Sequence, residues 1–374
     1  MATRRQWLVA AGTAACTGVP AWAMPAGKPV VMGQSVPLTG AASEIGLAFA
    51  AGAKLCVDAW NRRPGSPVRL ELRQLDDGYE AQRAGANAKK LLDEGADLLF
   101  GFVGTASADA AAAVAHRENA PLLAPFAAAD TLRDAAHPHV FHVRPSMADE
   151  AFKMVQHCAT LGHARLALLA EDDAMGRAGL AAVNHAIAEL KLPPLAATAF
   201  VPSHSDQVDA AVAALQAARP QAIVQAALFM TTAAFIPKMR RAGYAGAFLN
   251  FSVVGIDPLF TALGKDIGGV VVSQVVPSPR RTAVPIVREY LAAIEDSDQT
   301  PTYESLEGYI AAKALGEALL RTGRGAGRAT LQRTLAGMTG HDVGGYRLPL
   351  RAGIRDATSV IDLVSITADG RIIR

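Results

Sequence analysis

The chain has 374 residues, 51% hydrophobic and 19% charged, enough apolar material for two cored domains and far too much for a disordered chain. Its formal charge is +2, and Arg4 and Arg5 account for the excess: without residues 1–23, 34 of the 36 basic groups face 34 acids. That balance, with no basic run, excludes an electrostatic footprint for nucleic acid or an anionic membrane.

The chain begins with the features of an export signal: two arginines, an apolar run from Trp7 to Val19, and Ala21-Trp22-Ala23 as a cleavage site. Gly12, Gly18 and Pro20 interrupt the run, which is too short to span a bilayer. Thr3-Arg4-Arg5-Gln6-Trp7-Leu8 is similar to the twin-arginine export pattern, with a general secretory signal as the alternative. Thr13-Ala14-Ala15-Cys16 hints at a lipoprotein signal but has Thr13 where an aliphatic residue belongs. Cleavage leaves Cys56 and Cys158, both inside apolar helical patterns, so buried thiols and no disulfide are expected.

From Val30 onward, strands alternate with helices: VVMGQSV, then GLAFAAGAKLCVDAWN, VRLELRQL, EAQRAGANAKKLLDEG and DLLFGF, a short alanine-rich helix, and PLLAPF. This alternation predicts a parallel sheet with helices on both faces. After VFHVRPS it restarts with ADEAFKMVQHCATLG and runs on through RLALLAED, GLAAVNHAIAELK, ATAFVP, DQVDAAVAALQAAR, AIVQAA, TAAFIPKMRRAG and AFLNFS. Two similar doubly wound α/β lobes, packed edge to edge, are therefore expected. The helices VPIVREYLAAIEDS and SLEGYIAAKALGEALLRTG continue neither alternation, and GYRLPLRA and SVIDLVSITADGRIIR read as strands. The chain is thus expected to recross to the first lobe and later return. In such sheets ligands lie outside the carboxyl ends of the strands, so two facing lobes share one cleft.

One cleft loop carries chemistry. In GFVGTASADAAAAVA a strand stops at Gly101, and a helix restarts after Gly104, leaving unpaired N–H groups that favour an anion. No Lys-Ser or Lys-Thr follows Gly104 and no G-x-G-x-x-G occurs, so phosphate and nucleotide readings fail. A carboxylate fits, with Thr105 donating its hydroxyl; the competing reading is that Thr105 only caps its own helix. Hydrolase patterns are absent: there is no G-x-S-x-G, H-E-x-x-H or C-x-x-C. His137, His139 and His142 are spaced so that two fall in a turn and one on a strand, which makes a poor metal site. Asp76-Asp77 and Glu171-Asp172-Asp173 sit between strands and helices, where acids cap the following helix, a cation site being the alternative. No metal and no cofactor is expected.

Several pieces resemble, in order, the periplasmic leucine/isoleucine/valine-type solute-binding proteins of ABC transporters: SVPLTGAASEIGLAFAAGAKLCVDAWN, LRQLDDGYEAQRAGANAKKLL, GFVGTAS, PLLAPFAA, VFHVRPS, GGVVVSQVVPSP, ESLEGYIAAKALGEALLRTG and ADGRI. The resemblance implies a type I periplasmic binding fold, two lobes joined by three hinge crossovers near Arg144–Ser146, Val276–Pro277 and Ala336–Gly345. The expected division is residues 24–145 plus 277–340 in one lobe and 146–276 plus 341–374 in the other. It further implies a monomeric periplasmic protein that binds a small molecule without catalysis and hands it to a membrane permease. A signalling receptor served by the same closed form is the alternative partner.

In amino-acid-binding members, the loop matching Gly104, Thr105, Ala106 and Ser107 grips the ligand carboxylate. A hydroxyl after PLLAPF and an acid after AFLNFS hold the ammonium. Here Phe126, Ala127 and Ala128 offer no hydroxyl, and Phe251 and Ser252 no acid. A buried ammonium without a counter-charge costs several kcal/mol, on the order of the penalty for any isolated buried ion. The expectation is therefore a small organic acid packed against Ile45, Met175, Phe229, Met230 and Phe251. The alternative is a branched-chain or other hydrophobic amino acid, with Glu44 or Asp257 reaching its ammonium; Asp130 is read as a helix cap.

Overall fold

A computed structural model describes residues 28–295, 297–350, 361–369 and 371–373; the segment expected to be an export signal lies outside the described residues. The first sheet contains β1 (Val30–Val36), β2 (Leu70–Asp76), β3 (Leu98–Phe100), β4 (Leu122–Leu123) and β5 (Val140–Phe141). They are ordered β2-β1-β3-β4-β5, and every neighbour is parallel. Between them run α1 (Ser43–Arg62), α2 (Ala81–Asp93) and α3 (Thr105–Arg117). Alternate strand residues serve opposite faces, as a two-residue period requires. Val30, Met32, Leu98 and Phe100 join the core beneath α1, whereas Val31, Leu99 and Leu122 pack under α2 and α3.

The second lobe repeats the plan with α4 (Met147–Thr160), β6 (Leu166–Glu171), α5 (Ala174–Glu189), β7 (Ala197–Val201), α6 (Asp209–Ala218), β8 (Ala222–Ala226), α7 (Phe229–Arg241), β9 (Ala247–Asn250), α8 (Ile256–Leu263) and β10 (Val270–Gln274). Its parallel strands follow the order β7-β6-β8-β9-β10, the same winding as the first sheet. The chain then leaves through α9 (Pro285–Ile294), α10 (Tyr303–Thr322) and α11 (Arg328–Ala336). Both α9 and α10 pack on α1 in the first lobe. It returns as β11 (Asp362–Ile366) and β12 (Ile372–Ile373), which extend the second sheet antiparallel beyond β10. GYRLPLRA is not a strand over residues 345–350; it folds back on residues 340–343 through an isolated antiparallel bridge, Asp342 to Arg347, and the backbone bonds of Tyr346 and Leu348. Among the described residues no helix is long and apolar enough to cross a membrane.

Two local features set the lobe geometry. Helices α1 and α10 meet backbone to backbone: a Cβ at Gly308 would lie 2.0 Å from the Phe49 carbonyl oxygen, and one at Gly52 1.7 Å from that of Ser305. Only glycine fits there. The three connecting segments converge on Tyr346, whose buried hydroxyl lies 2.8 Å from the Val143 carbonyl oxygen and 3.1 Å from that of Val275. One side chain thus ties together all three passages between the lobes. Cys56 and Cys158 are buried free thiols on α1 and α4, and burial pushes the Cys158 thiol up to about 12.

Candidate functional site

The carboxyl ends of both sheets face one another across a narrow cavity lined by loops of both lobes, the place where doubly wound sheets take small molecules. The first lobe supplies Ala42 and Ile45 after β1, Tyr79 after β2, Val103, Gly104 and Thr105 after β3, and Phe126, Ala127 and Ala128 after β4. The second supplies Met147 from the start of α4, Met175 after β6, Leu228 after β8 and Val253 after β9. These loops flank the point where the winding of each sheet reverses, between β1 and β3 and between β6 and β8, where doubly wound sheets open a crevice.

Past β3 and β4 the two first-lobe loops stay paired. Val103 and Phe126 form a parallel bridge; Phe126 N–H donates to the Phe102 carbonyl at 2.8 Å and Gly104 N–H to that of Phe126 at 3.0 Å. Gly104 then turns with φ +96°, and a Cβ there would meet the Tyr79 ring at 2.6 Å. Gly104 is the N-cap of α3, with no side-chain cap, and Thr105 is its first helical residue. Thr105 therefore does not cap its helix by side chain; the residue, 5% exposed, lines the cavity. The first N–H groups of α3 carry no intrahelical partner, and the helix dipole adds positive potential at that end.

Tyr79 was missed by sequence reasoning, although Asp-Asp-Gly-Tyr carries the signal for it. Asp76 and Asp77 do not cap the next helix. Asp76 accepts from the Leu38, Thr39 and Gly78 N–H groups and the Thr39 hydroxyl, and these donors hold its carboxyl down to about 2. Asp77 accepts from Ser35 Oγ and from Tyr79 N–H at 2.9 Å. Gly78 and Tyr79 both turn with positive φ, 58° and 69°, and the phenol is thereby directed into the cleft. Burial pushes that phenol upward, with Asp173 and Glu171 adding to the effect, so it is a neutral donor.

The remaining expected residues divide. Gly104, Thr105, Phe126, Ala127, Ala128, Ile45 and Met175 line the cavity, and Ala106 and Ser107 line a space that adjoins it beside Tyr79 and Asp173. Phe229, Met230, Phe251 and Ser252 do not line it. Met230 is 43% exposed on α7, Phe251 is in the second-lobe core, and Leu228 and Val253 take the wall positions. Ser252 serves a buried network instead. Its hydroxyl accepts from Arg144 Nη2 and its N–H donates to Glu150 at 2.8 Å.

Arg144 is itself fully buried, 4.4 Å over the Phe126 ring. It stands 3.5 Å from Glu307 on α10 and 4.0 Å from Glu150 on α4. A cation at the first connecting segment thus joins both lobes directly beneath the cavity wall. Burial raises the Glu307 carboxyl to about 7 despite Arg144. Neither Glu44, exposed on α1, nor Asp257, beside a separate hollow with Arg280 and Arg281, is on the cavity wall. Asp130 caps no helix of its own but accepts from the Ala148 N–H at the start of α4. Of the three histidines, His137 pairs with Asp134, His139 with Gln332 and His142 with the Leu132 carbonyl, so they converge on nothing.

Comparison with known proteins settles the family. The family model for periplasmic binding proteins matches residues 29–365, nearly the whole described chain. The chain belongs to the periplasmic binding protein family. Its members are solute-binding proteins of ABC transporters and not enzymes. Among solved structures it is similar to a possible leucine/isoleucine/valine-binding protein from Rhodopirellula baltica, with 28% identity, TM-score 0.84, and coverage of 94% of this chain and 98% of that one. An R. palustris ABC-transporter solute-binding protein in complex with benzoate shares the fold at 16% identity, TM-score 0.78, covering 92% and 95%. So does the branched-chain amino acid transporter substrate-binding protein LivJ from Streptococcus pneumoniae in complex with isoleucine, at 14% identity, TM-score 0.78, covering 92% and 98%. Among curated proteins none matches. Membership of this family places the protein in the periplasm.

Proposed function

We propose that this periplasmic binding protein captures a small organic acid with an apolar body and no α-ammonium group, and delivers it to an ABC permease. The observation that carries the reading is the composition of the cavity wall: Thr105 and Tyr79 are its polar side chains, and no charged residue lines it. The acid's carboxylate takes the Thr105 hydroxyl and the first N–H groups of α3, at the positive end of that helix. Its body lies among Ile45, Phe126, Met147, Met175, Leu228 and Val253. Because the wall comes from both lobes, such a ligand gains contacts only when they close, which shifts the population toward the closed form. That form is the one a permease, or a receptor in a sensing role, would recognise, with the protein acting as a monomer.

A second reading is supported by Asp173, which borders the adjoining space beside Tyr79 and Thr105. An amino acid whose ammonium extended there would find a carboxylate. Thermal-shift assays of refolded, ligand-free protein against ammonium-free carboxylic acids and against α-amino acids separate the two. A ligand at 100 times its Kd adds about 2.7 kcal/mol to stability. Shifts with the acids alone support the first reading, and shifts with amino acids alone overturn it.

A further inference from the structure

Outside the end of β6 three side chains of the second lobe converge beside the cleft; none lines the main cavity, and Asp173 alone borders the adjoining space. Glu171 ends β6, Asp173 is the N-cap of α5, and His204 sits in the loop between β7 and α6. One potential ligand atom from each lies within 4.8 Å of the others. Glu171 is completely buried, and its Oε2 accepts no hydrogen bond; it faces His204 Nδ1, likewise without a hydrogen bond, at 3.5 Å. Among the described residues no lysine or arginine pairs with Glu171 or Asp173; the nearby Arg177 pairs with Asp172.

The rest of each side chain is already held. Glu171 Oε1 accepts from Thr231 Oγ1 at 2.6 Å and from Leu228 N–H at 3.2 Å. Asp173 accepts from Gly176 N–H at 2.8 Å and from Ser203 Oγ at 3.1 Å. Outer partners of this kind orient metal ligands, and here they leave Oε2 and Nδ1 side by side without hydrogen bonds. Tetrahedral zinc with bonds of about 2.0–2.1 Å spaces its donor atoms roughly 3.3 Å apart, close to the 3.5 Å between Glu171 Oε2 and His204 Nδ1, with the Asp173 donor within 4.8 Å of both. One buried and one half-buried carboxylate, when ionised, also keep a net negative charge beside the imidazole in either state of the histidine, which a dication neutralises.

We propose that Glu171, Asp173 and His204 form a binding site for a divalent transition metal of the zinc class, beside the solute cleft. An imidazole with two carboxylates favours such a metal over calcium or magnesium, which prefer oxygen ligands alone. Tyr79 of the first lobe packs edge-on against the His204 ring, with centroids 5.0 Å apart. A metal that fixes this imidazole therefore also fixes part of the surface on which the lobes close.

The test is a calorimetric titration of untagged, chelator-stripped protein with Zn2+ and, separately, Mg2+. The expected result is one saturable Zn2+ site per chain, weakened at least tenfold in Glu171→Gln and in His204→Asn, with Mg2+ far weaker. His204 has φ +54°, a conformation asparagine adopts readily, so His204→Asn keeps the fold if Glu171→Gln does not. Absence of saturable one-to-one Zn2+ binding, unchanged affinity in His204→Asn, or a preference for Mg2+ overturns the assignment.

Discussion

Replacing Arg144 with methionine removes the cation that stands within 4.0 Å of both Glu150 and Glu307 beneath the cleft wall. The three groups are almost wholly shielded, with side-chain exposures of 1%, 0% and 6%. Methionine retains much of the packing on Phe126, so the lost term is chiefly electrostatic. Breaking a buried pair by deleting one partner costs about 3–5 kcal/mol, because the other charge stays behind. For a chain of this size, an unfolding entropy of roughly 2 cal/mol/K per residue converts that to a Tm loss of about 4–7 °C.

The loss should also depend on pH. Arg144 holds the Glu307 carboxyl down, yet burial still places it at about 7; without the arginine it moves higher and is neutral in mildly acidic solution. The folded-state carboxyl is already raised above its ordinary value, so its ionisation becomes destabilising as pH rises from about 4.5 through 7, and Arg144 offsets that cost. Thermal unfolding of Arg144→Met and the parent protein at pH 5.5 and pH 8.0 measures this. The destabilisation should be larger at pH 8.0, and adding Glu307→Gln should recover part of it there. An equal loss at both pH values, or a loss of under about 1 kcal/mol, the size of a surface pair, would refute the reasoning.

Three further perturbations address other links of the account. Gly308→Ala drives a Cβ to within 2.0 Å of the Phe49 carbonyl oxygen and should cost about 3 kcal/mol or more by forcing α1 and α10 apart, read as a lower urea midpoint. Tyr346→Phe removes the hydroxyl shared by the Val143 and Val275 carbonyls and should cost about 1–3 kcal/mol, with faster hydrogen exchange at the connecting segments. Thr105→Val should weaken binding of the captured acid at least tenfold by calorimetry, the value of about 1.5 kcal/mol for a charge-assisted hydrogen bond. Its ligand-free Tm should stay within a few degrees of the parent's.

Much of the scaffold was legible because the signals are local. The switch from two-residue to helical periodicity marks each strand and helix, and Gly101 to Thr105 marks the break where α3 begins. Residues just past β3 and β4 could be assigned to the cleft because short strand-to-helix loops leave little freedom in direction. The second-lobe loops were harder. Leu228 lines the cavity where Phe229 was expected, and Val253 where Phe251 and Ser252 were expected, because a slip of one or two residues turns a side chain from cleft to core. Tyr79 escaped because two successive residues of positive φ turn it inward, and its anchor, Asp77, was read as a helix cap. The pairing of Arg144 with Glu307 joins positions far apart in the chain and leaves no periodic trace.

The most direct test of the central claim is a calorimetric titration of ligand-free protein with two compounds that differ only by the α-ammonium group, 4-methylpentanoate and leucine. A cavity wall with hydroxyls and helix N–H groups but no charged side chain predicts that 4-methylpentanoate binds at least tenfold more tightly, since the ammonium of leucine would be buried without a partner. Tighter binding of leucine would contradict the account and place a carboxylate within reach of the bound ligand.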